Sequence, residues 1–336
     1  MAKENKELPL KLEEINKTTG EVVKLDVNSA STVQPVALMR LGLFVPTLKS
    51  TSRSKTNRKN VTDATEELVQ LSIAKSEGYT DVRITGSRLD MDTDFKVWLG
   101  IIRSMSERGV KNDTLELSFV EFVKMCGFDS RRSNKKMRDR ISNSLFKLAS
   151  VTLKFQSETK GWTTHLVQSA YYDINEDIVE IKAEPKLFEL YHMDRRVLLR
   201  LKAIDALQRK ESAQALYTYI ESLPQNPAPI SMKRMRDRLN LTSNVYTQNH
   251  TVRKAMAQLK DIGYLDFTEF KRGRSTYFSV HYRNSKLISS TVKVPRQEEE
   301  EIPEQNYDEV INALKAAGID PQKLAKALAS VKPDND

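Results

Sequence analysis

The 336-residue chain carries a single cysteine, Cys126. One thiol excludes an intramolecular disulfide and suits a reducing cytoplasm. Within the apolar run FVEFVKMCGF it reads as a buried structural group rather than a nucleophile. No apolar stretch approaches the roughly 20 residues that a membrane helix needs. The opening residues, MAKENKELPLKLEEINK, lack the apolar core of a signal peptide, so the expected location is the cytoplasm, with no membrane partner. The four histidines (His165, His192, His250, His281) are scattered. They form no His-x-His pair for a nickase metal and, beside one cysteine, no zinc site of recognised spacing. No GxxxxGK(S/T) phosphate loop occurs. Tyr171 and Tyr172 invite a nicking-tyrosine reading, but they read better as the core and rim of a strand. With no catalytic constellation and no cofactor signature, the chain is expected not to be an enzyme.

What is abundant is charge. Lys and Arg number 54 against 45 Asp and Glu, a net +9, and 39% of residues are hydrophobic, enough for two ordinary domains with polar connections. The bias concentrates in Pro229–Arg283, which holds eleven Lys/Arg and four acids, Asp237, Asp261, Asp266 and Glu269. There Ser231 is placed to cap a helix carrying Met232, Met235 and Leu239. A second helix fits from Thr247 or Asn249 to Ile262, with Val252, Ala255, Met256, Leu259 and Ile262 in one apolar stripe. Asn249, His250, Arg253, Lys254 and Ala257 lie around its other side. Gly263 stops it, because glycine takes a left-handed turn cheaply. Tyr264–Phe270 and Ser275–Tyr282 read as strands joined by Lys271-Arg272-Gly273-Arg274. Helix, turn, helix and a two-stranded wing make a winged helix, sized for the major groove and the adjacent backbone. The charge suits a phosphate backbone; a solvated basic face on a protein–protein module is the plainer alternative.

The remainder is arranged around a second copy of that pattern. Residues 1–33 read as an arm without a core, and VQPVALMRLGLFVPTLK (33–49) as an apolar segment that must dock on something. Residues 47–60 form a basic loop, able to track phosphate or serve as a linker. A helix is expected over 62–77 and a strand at Asp81–Thr85. Asp90, Asp92 and Asp94 alternate as in a calcium hand, but Phe95 stands where the hand needs glycine and Ile101 where it needs glutamate. These acids instead suit the start of a helix at Asp94–Glu107. Ser118 and Glu121 have capping-box spacing. After a turn at Asp129–Ser130 a helix carries Met137, Ile141, Leu145 and Leu148 inward, with Arg131, Arg132, Lys135 and Lys136 at its start, suited to phosphates. Val151–Gln156 and Trp162–Tyr172 read as a hairpin, with a third strand possible at Asp177–Lys182. Aligned on Ser118 and Ser231, the two units run nearly in step to Phe155 and Phe267. Leu187–Leu207 reads as a connecting helix and Glu211–Leu223 as the first helix of the second unit. Beyond Ile288 lie the acidic QEEEE (297–301) and two short helices (307–317, 321–329). Residues 291–336 hold six Lys/Arg against ten Asp/Glu, which suits a partner-binding segment, a DNA mimic or a plain solvated appendix.

The expected fold is α+β and mainly helical, with two tandem winged-helix domains. Residues 1–60 are arm and loop, 61–190 the first winged helix, 191–288 the second, and 289–336 the acidic linker and tail.

Several stretches carry a specific resemblance: TVQPVALMRLGLFVPTLK (32–49), ITGSRLDMDTDFKVWLGII (84–102), LSFVEFVKMCGF (117–128), ESAQALYTYIESLPQNPAPIS (211–231) and KAMAQLKDIGYLD (254–266). Across Val33–Leu287 the chain resembles the RepA-type replication initiators of iteron-controlled plasmids. The resemblance implies binding to repeated origin sequences (iterons) in double-stranded DNA, with the second winged helix reading bases and the first gripping backbone. It further implies origin opening with host DnaA and DnaB, a monomer–homodimer equilibrium shifted by the chaperones DnaK and DnaJ, copy-number control, and repression of its own gene at an operator. Transferred here, Gln248, Asn249, His250, Arg253 and Lys254 form the base-reading face. Arg253 matches guanine O6 and N7, while Asn249 and Gln248 suit adenine. Lys233, Arg236, Lys271, Arg272 and Arg274, with Arg131, Arg132, Lys135 and Lys136, are expected on the backbone. The alternatives are a winged-helix transcriptional repressor without a replication role and, disfavoured by the missing metal pair, a nickase.

Overall fold

Two serines start the same architecture twice. In the computed structural model Ser118 caps a helix at Phe119–Met125: its side chain accepts from the Glu121 amide, and the Glu121 carboxylate reaches back to the Ser118 amide, a complete capping box. Ser231 caps the helix Met232–Leu239 through the Arg234 amide, 3.2 Å away. The structure describes residues 11–15, 22–26, 30–47, 61–63, 80–108, 113–129, 135–173, 175–185, 187, 190–191 and 196–284. All lie within Met1–Ile288; Ser289–Asp336, a separate compact body, and the tail helices expected there lie outside the described residues. So does most of the helix expected over 62–77.

In chain order the elements are β1 (Lys11–Ile15), β2 (Val22–Asp26), β3 (Ser31–Pro35), α1 (Val36–Arg40), β4 (Phe44–Val45), β5 (Val61–Asp63), β6 (Asp81–Thr85), β7 (Leu89–Asp90), α2 (Asp94–Arg108), β8 (Thr114–Ser118), α3 (Phe119–Met125) and α4 (Lys135–Ser150). Then follow β9 (Thr152–Gln156), β10 (Gly161–His165), β11 (Val167–Asp173), β12 (Ile178–Ala183), β13 (Arg196–Arg200), α5 (Leu201–Ala206), α6 (Glu211–Glu221), β14 (Ile230–Ser231), α7 (Met232–Leu239), α8 (Val245–Asp261), β15 (Leu265–Arg272) and β16 (Ser275–Arg283). Among the described residues helices and strands are both plentiful, so the fold is α+β. The extra strand comes from segments whose pairing partners are distant in sequence. Thus Arg196–Arg200, expected inside a long helix over 187–207, is β13, paired antiparallel with β3. Residues 1–33, expected as an arm without a core, contribute β1 and β2, an antiparallel pair with Lys11 opposite Asp26 and Glu13 opposite Lys24.

The second unit runs α6, β14, α7, α8, β15, β16, with its sheet ordered β14-β16-β15. The first runs α2, β8, α3, α4 and then departs. Its sheet is β11-β12-β8, so the hairpin equivalent to β15–β16 is β11–β12, and β12 pairs with β8 as β16 pairs with β14. Between α4 and that wing sits an inserted hairpin, β9–β10, which joins a different sheet ordered β10-β9-β6-β5. The expected register of Phe155 with Phe267 therefore fails at Val151, and the expected single strand Trp162–Tyr172 breaks at the buried Leu166. Either side of Leu166 the chain pairs with a different sheet.

Two helices are core on most of their surface. In α2 the residues Phe95, Val97, Trp98, Ile101, Ile102 and Met105 are all buried, and in α6 all residues from Ala213 to Ile220 are. The segment Ser31–Pro46 is buried except at Gly42, as its apolar sequence requires. Its Gln34 accepts from Trp98 Nε1 (2.9 Å) and Tyr191 Oη (3.2 Å) and donates to Thr32 (3.0 Å). Arginines tie it to the second unit. Arg40 donates to the Ser222 carbonyl at 2.8 and 3.2 Å, at the negative end of α6. Arg238, 4% exposed, donates to the carbonyls of Met39 and Phe44 (3.0 Å each) and to Thr218 Oγ1 (3.3 Å). Arg88 bridges the Pro46 carbonyl (2.9 Å) and the Asn240 carbonyl at the end of α7 (2.8 Å).

Candidate nucleic-acid interface

Helix α8 begins at Val245, two residues before the expected start at Thr247 and four before Asn249. Asn244 is the N-cap, its side chain accepting from the Thr247 amide at 2.9 Å, which places Val245 and Tyr246 in the first turn. The far end closes as expected at Gly263 (φ +72°). The Tyr264 amide bonds the Leu259 carbonyl and the Gly263 amide the Lys260 carbonyl, the paired bonds of a left-handed glycine cap. Val252, Ala255, Met256 and Leu259 face the core. The opposite face is open: Tyr246 is 83% exposed and Val245 57%, and His250, Arg253, Lys254 and Ala257 are exposed with them.

The base-reading candidates divide on inspection. Gln248 is half-buried, and its amide donates to the carbonyls of Ser243 (2.6 Å) and Leu241 (3.2 Å), so it braces the turn before the helix. Asn249 is half-buried, and its Oδ1 is buried without a hydrogen-bond partner. His250 and Lys254 stand in solvent. Arg253, exposed as well, is engaged on one edge: its Nε and Nη2 grip Glu269 on β15 at 2.9, 3.0 and 2.7 Å, and this hydrogen bonding raises the guanidinium pKa further. Arg253, 48% exposed at its side chain, is thereby joined to the wing across 16 residues of sequence.

The wing is a two-residue hairpin. Arg272 pairs with Ser275, and the loop is Gly273-Arg274 with Gly273 at φ +60°, the conformation that puts glycine first in such a turn. Arg272 thus belongs to the strand rather than to the loop. Lys271, Arg272 and Arg274 are exposed together at its tip. Of the remaining backbone candidates, Lys233 is exposed and paired with Asp237 (2.9 Å), while Arg236 is half-buried with its Nε buried and without a hydrogen-bond partner. In the first unit Lys135 and Lys136 are exposed at the start of α4; Arg131 and Arg132 lie outside the described residues. Later cations of α4 face acids: Arg140 bonds Asp92 and Thr93 (2.7 Å), and Lys147 bonds Asp94 (2.8 Å) and Asp90 (3.2 Å). The alternating Asp90, Asp92 and Asp94 are thus engaged with side chains and amides: Asp90 also accepts from the Thr93 amide (2.7 Å), as the helix-start reading has it.

Sequence reasoning missed Val245, Tyr246 and Glu269. The first two were legible in the spacing of Asn244 to Thr247, a cap signal overlooked in favour of the apolar stripe. Nothing local marks Glu269, because its partner lies on another element.

A family model described as Initiator Replication protein, WH1 matches residues 89–221. The chain is 56% identical to the RepFIB replication protein A of Escherichia coli (strain K12) over 293 residues, covering 86% of this chain and 89% of that protein. It is 54% identical to the Replication protein RepA of Salmonella typhi over 306 residues, 90% of this chain and 87% of that one. Among solved structures, the Pi initiator protein in complex with iteron DNA aligns with 56% of this chain and 94% of its own at 12% identity, with a TM-score of 0.37.

Proposed function

Because the chain belongs to the RepA-type plasmid replication initiators, we propose that it recognises repeated origin sequences in duplex DNA with α8 and grips the flanking backbone with the β15–β16 wing. The observation that carries this reading is the exposed face of α8 tied to the wing strand by the Arg253–Glu269 contact. His250, Arg253 and Lys254 are exposed on the helix, Val245 and Tyr246 on its first turn, and Lys271, Arg272 and Arg274 at the hairpin tip. A helix of 17 residues presented this way can enter a major groove about 12 Å wide. Arg253 is assigned to guanine, Asn249 and Gln248 to adenine, His250 and Lys254 to the same face, and Lys233, Arg236 and the wing cations to phosphate. In the first unit Arg131, Arg132, Lys135 and Lys136 grip the backbone. Gln248 has the smaller direct share, since its amide is engaged with the turn.

The family resemblance supports the remaining steps: duplex opening with host DnaA and DnaB, chaperone-adjusted exchange between monomer and dimer, and repression of its own gene by the dimer. Arg253→Ala should cost about 1–3 kcal/mol at one base position of the repeat and relax selectivity there. Lys271→Ala should weaken all duplexes alike and reduce the salt slope by about one unit. Unchanged protection of the repeats by Arg253→Ala would remove α8 as the reading element. Maintenance in trans of a plasmid carrying only the repeats and adjacent AT-rich DNA separates an initiator from a plain repressor.

A further inference from the structure

An acid on the wing of a DNA-binding module needs an explanation, because it opposes phosphate attraction. Pro229–Arg283 contains four acids, and two of them, Asp237 and Asp266, pair with lysines, Lys233 and Lys260, at 2.9 and 2.7 Å. Glu269 is different. It sits on β15, between residues paired in register with β16, and both its oxygens engage the Nε–Nη2 edge of Arg253. Arg253 lies on the exposed face of α8.

A guanidinium has two hydrogen-bonding edges, one through Nε and one Nη, the other through the two Nη groups. When a carboxylate occupies the first, the second is aimed, and that second edge matches guanine O6 and N7. The same carboxylate occupies one of the two edges a backbone phosphate could take and locally offsets the arginine charge, which weakens the pull toward phosphate. Such an arginine contributes hydrogen-bond geometry more than Coulomb attraction, which favours selectivity over general affinity. A strand in a closed hairpin is also a stiffer support than a loop.

Resting on the assignment of α8 as the reading helix, we propose that Glu269 is a specificity-determining positioning residue. It holds Arg253 by one edge so that the other meets a guanine, and it keeps Arg253 off the phosphates.

The test uses the full chain with Glu269→Ala and Glu269→Gln, titrated against an origin repeat, a panel with each base pair substituted, and an unrelated duplex. Wild-type and variant thermal midpoints are compared to establish folding. The expected result is that Glu269→Ala lowers the ratio of cognate to unrelated affinity about tenfold or more, roughly the discrimination one bidentate pair supplies. The loss should fall on the base position that Arg253→Ala also relaxes. The salt slope should steepen by about one unit as Arg253 moves to a phosphate. Glu269→Gln, which keeps one acceptor, should fall between, and adding Glu269→Ala to Arg253→Ala should change selectivity no further. A selective wild type whose base profile survives Glu269→Ala, with all duplexes merely bound more tightly, overturns the positioning role alone. A wild type with no preference among duplexes overturns both this role and the reading helix.

Discussion

Replacing Arg238 by leucine tests whether the 31–47 segment is held by arginine. The guanidinium is buried and donates to two main-chain carbonyls at 3.0 Å, in a segment 194 to 199 residues earlier, and to Thr218 on α6 at 3.3 Å. Hydrogen bonds from a charged donor contribute about 1.5–3 kcal/mol each, so the two short ones and the weaker third sum to roughly 4–7 kcal/mol. Against this stands the cost of keeping a cation out of water, several kcal/mol in a real protein, which leucine does not incur. The net loss expected for Arg238→Leu is about 2–4 kcal/mol, within the range of a broken buried polar network. Urea unfolding followed by far-ultraviolet circular dichroism would read it as a lowered midpoint at unchanged slope. Arg238→Lys should recover less than half, because an ammonium cannot span three acceptors in a fixed plane. A loss below about 1 kcal/mol for Arg238→Leu would refute the argument and leave apolar contact as the tie.

Gly100→Ala should destabilise by about 1–3 kcal/mol in the same assay although alanine is the better helix former. Its Cβ would lie 2.9 Å from the Cys126 backbone nitrogen and Cα, forcing α2 from α3. Burial first, and then the neighbouring Asp90 charge, push the Asp94 carboxyl up to about 6 from an ordinary 3.8, and its Oδ1 is buried without a partner. A carboxyl raised in the folded state stabilises below its unfolded value and loses that contribution as pH rises through the folded one. The stability of wild type relative to Asp94→Asn should therefore fall between about pH 4 and pH 6–7 in urea titrations, and a flat difference would refute it. Ser118→Ala, which opens the capping box of α3, should cost about 1 kcal/mol by the same unfolding measurement.

Features settled within a few residues were readable in the sequence. Ser118 with Glu121, Ser231, the glycine stop at Gly263, the buried stripe of α8 and the need of 33–49 for a docking surface all depend on local spacing or local hydrophobicity. What escaped depends on distant partners. Val197 and Leu199 have helix-compatible neighbours, yet pairing with β3 makes them strand, as competition from a sheet edge overrides a weak propensity. The hairpin β9–β10 alternates like a wing, and only the separate pairing of β6 with β9 shows that it belongs elsewhere. The charges of the candidate site were visible, whereas the grip of Glu269 on Arg253 was not, since it joins a helix to a strand.

The pairing of β3 with β13 also sets a timetable. Ser31–Pro35 emerges from the ribosome roughly 160 residues before Arg196–Arg200 exists to receive it. At ordinary elongation rates of about 5–20 residues per second, that is on the order of ten to thirty seconds. Throughout that interval β3 lacks its strand partner, and α2, through Trp98, is the earlier surface it can meet. The second winged unit, whose β14–β16 and β15–β16 contacts span fewer than 55 residues, needs no such wait. Slow synthesis thus burdens the N-terminal segment and spares the helix assigned to the groove.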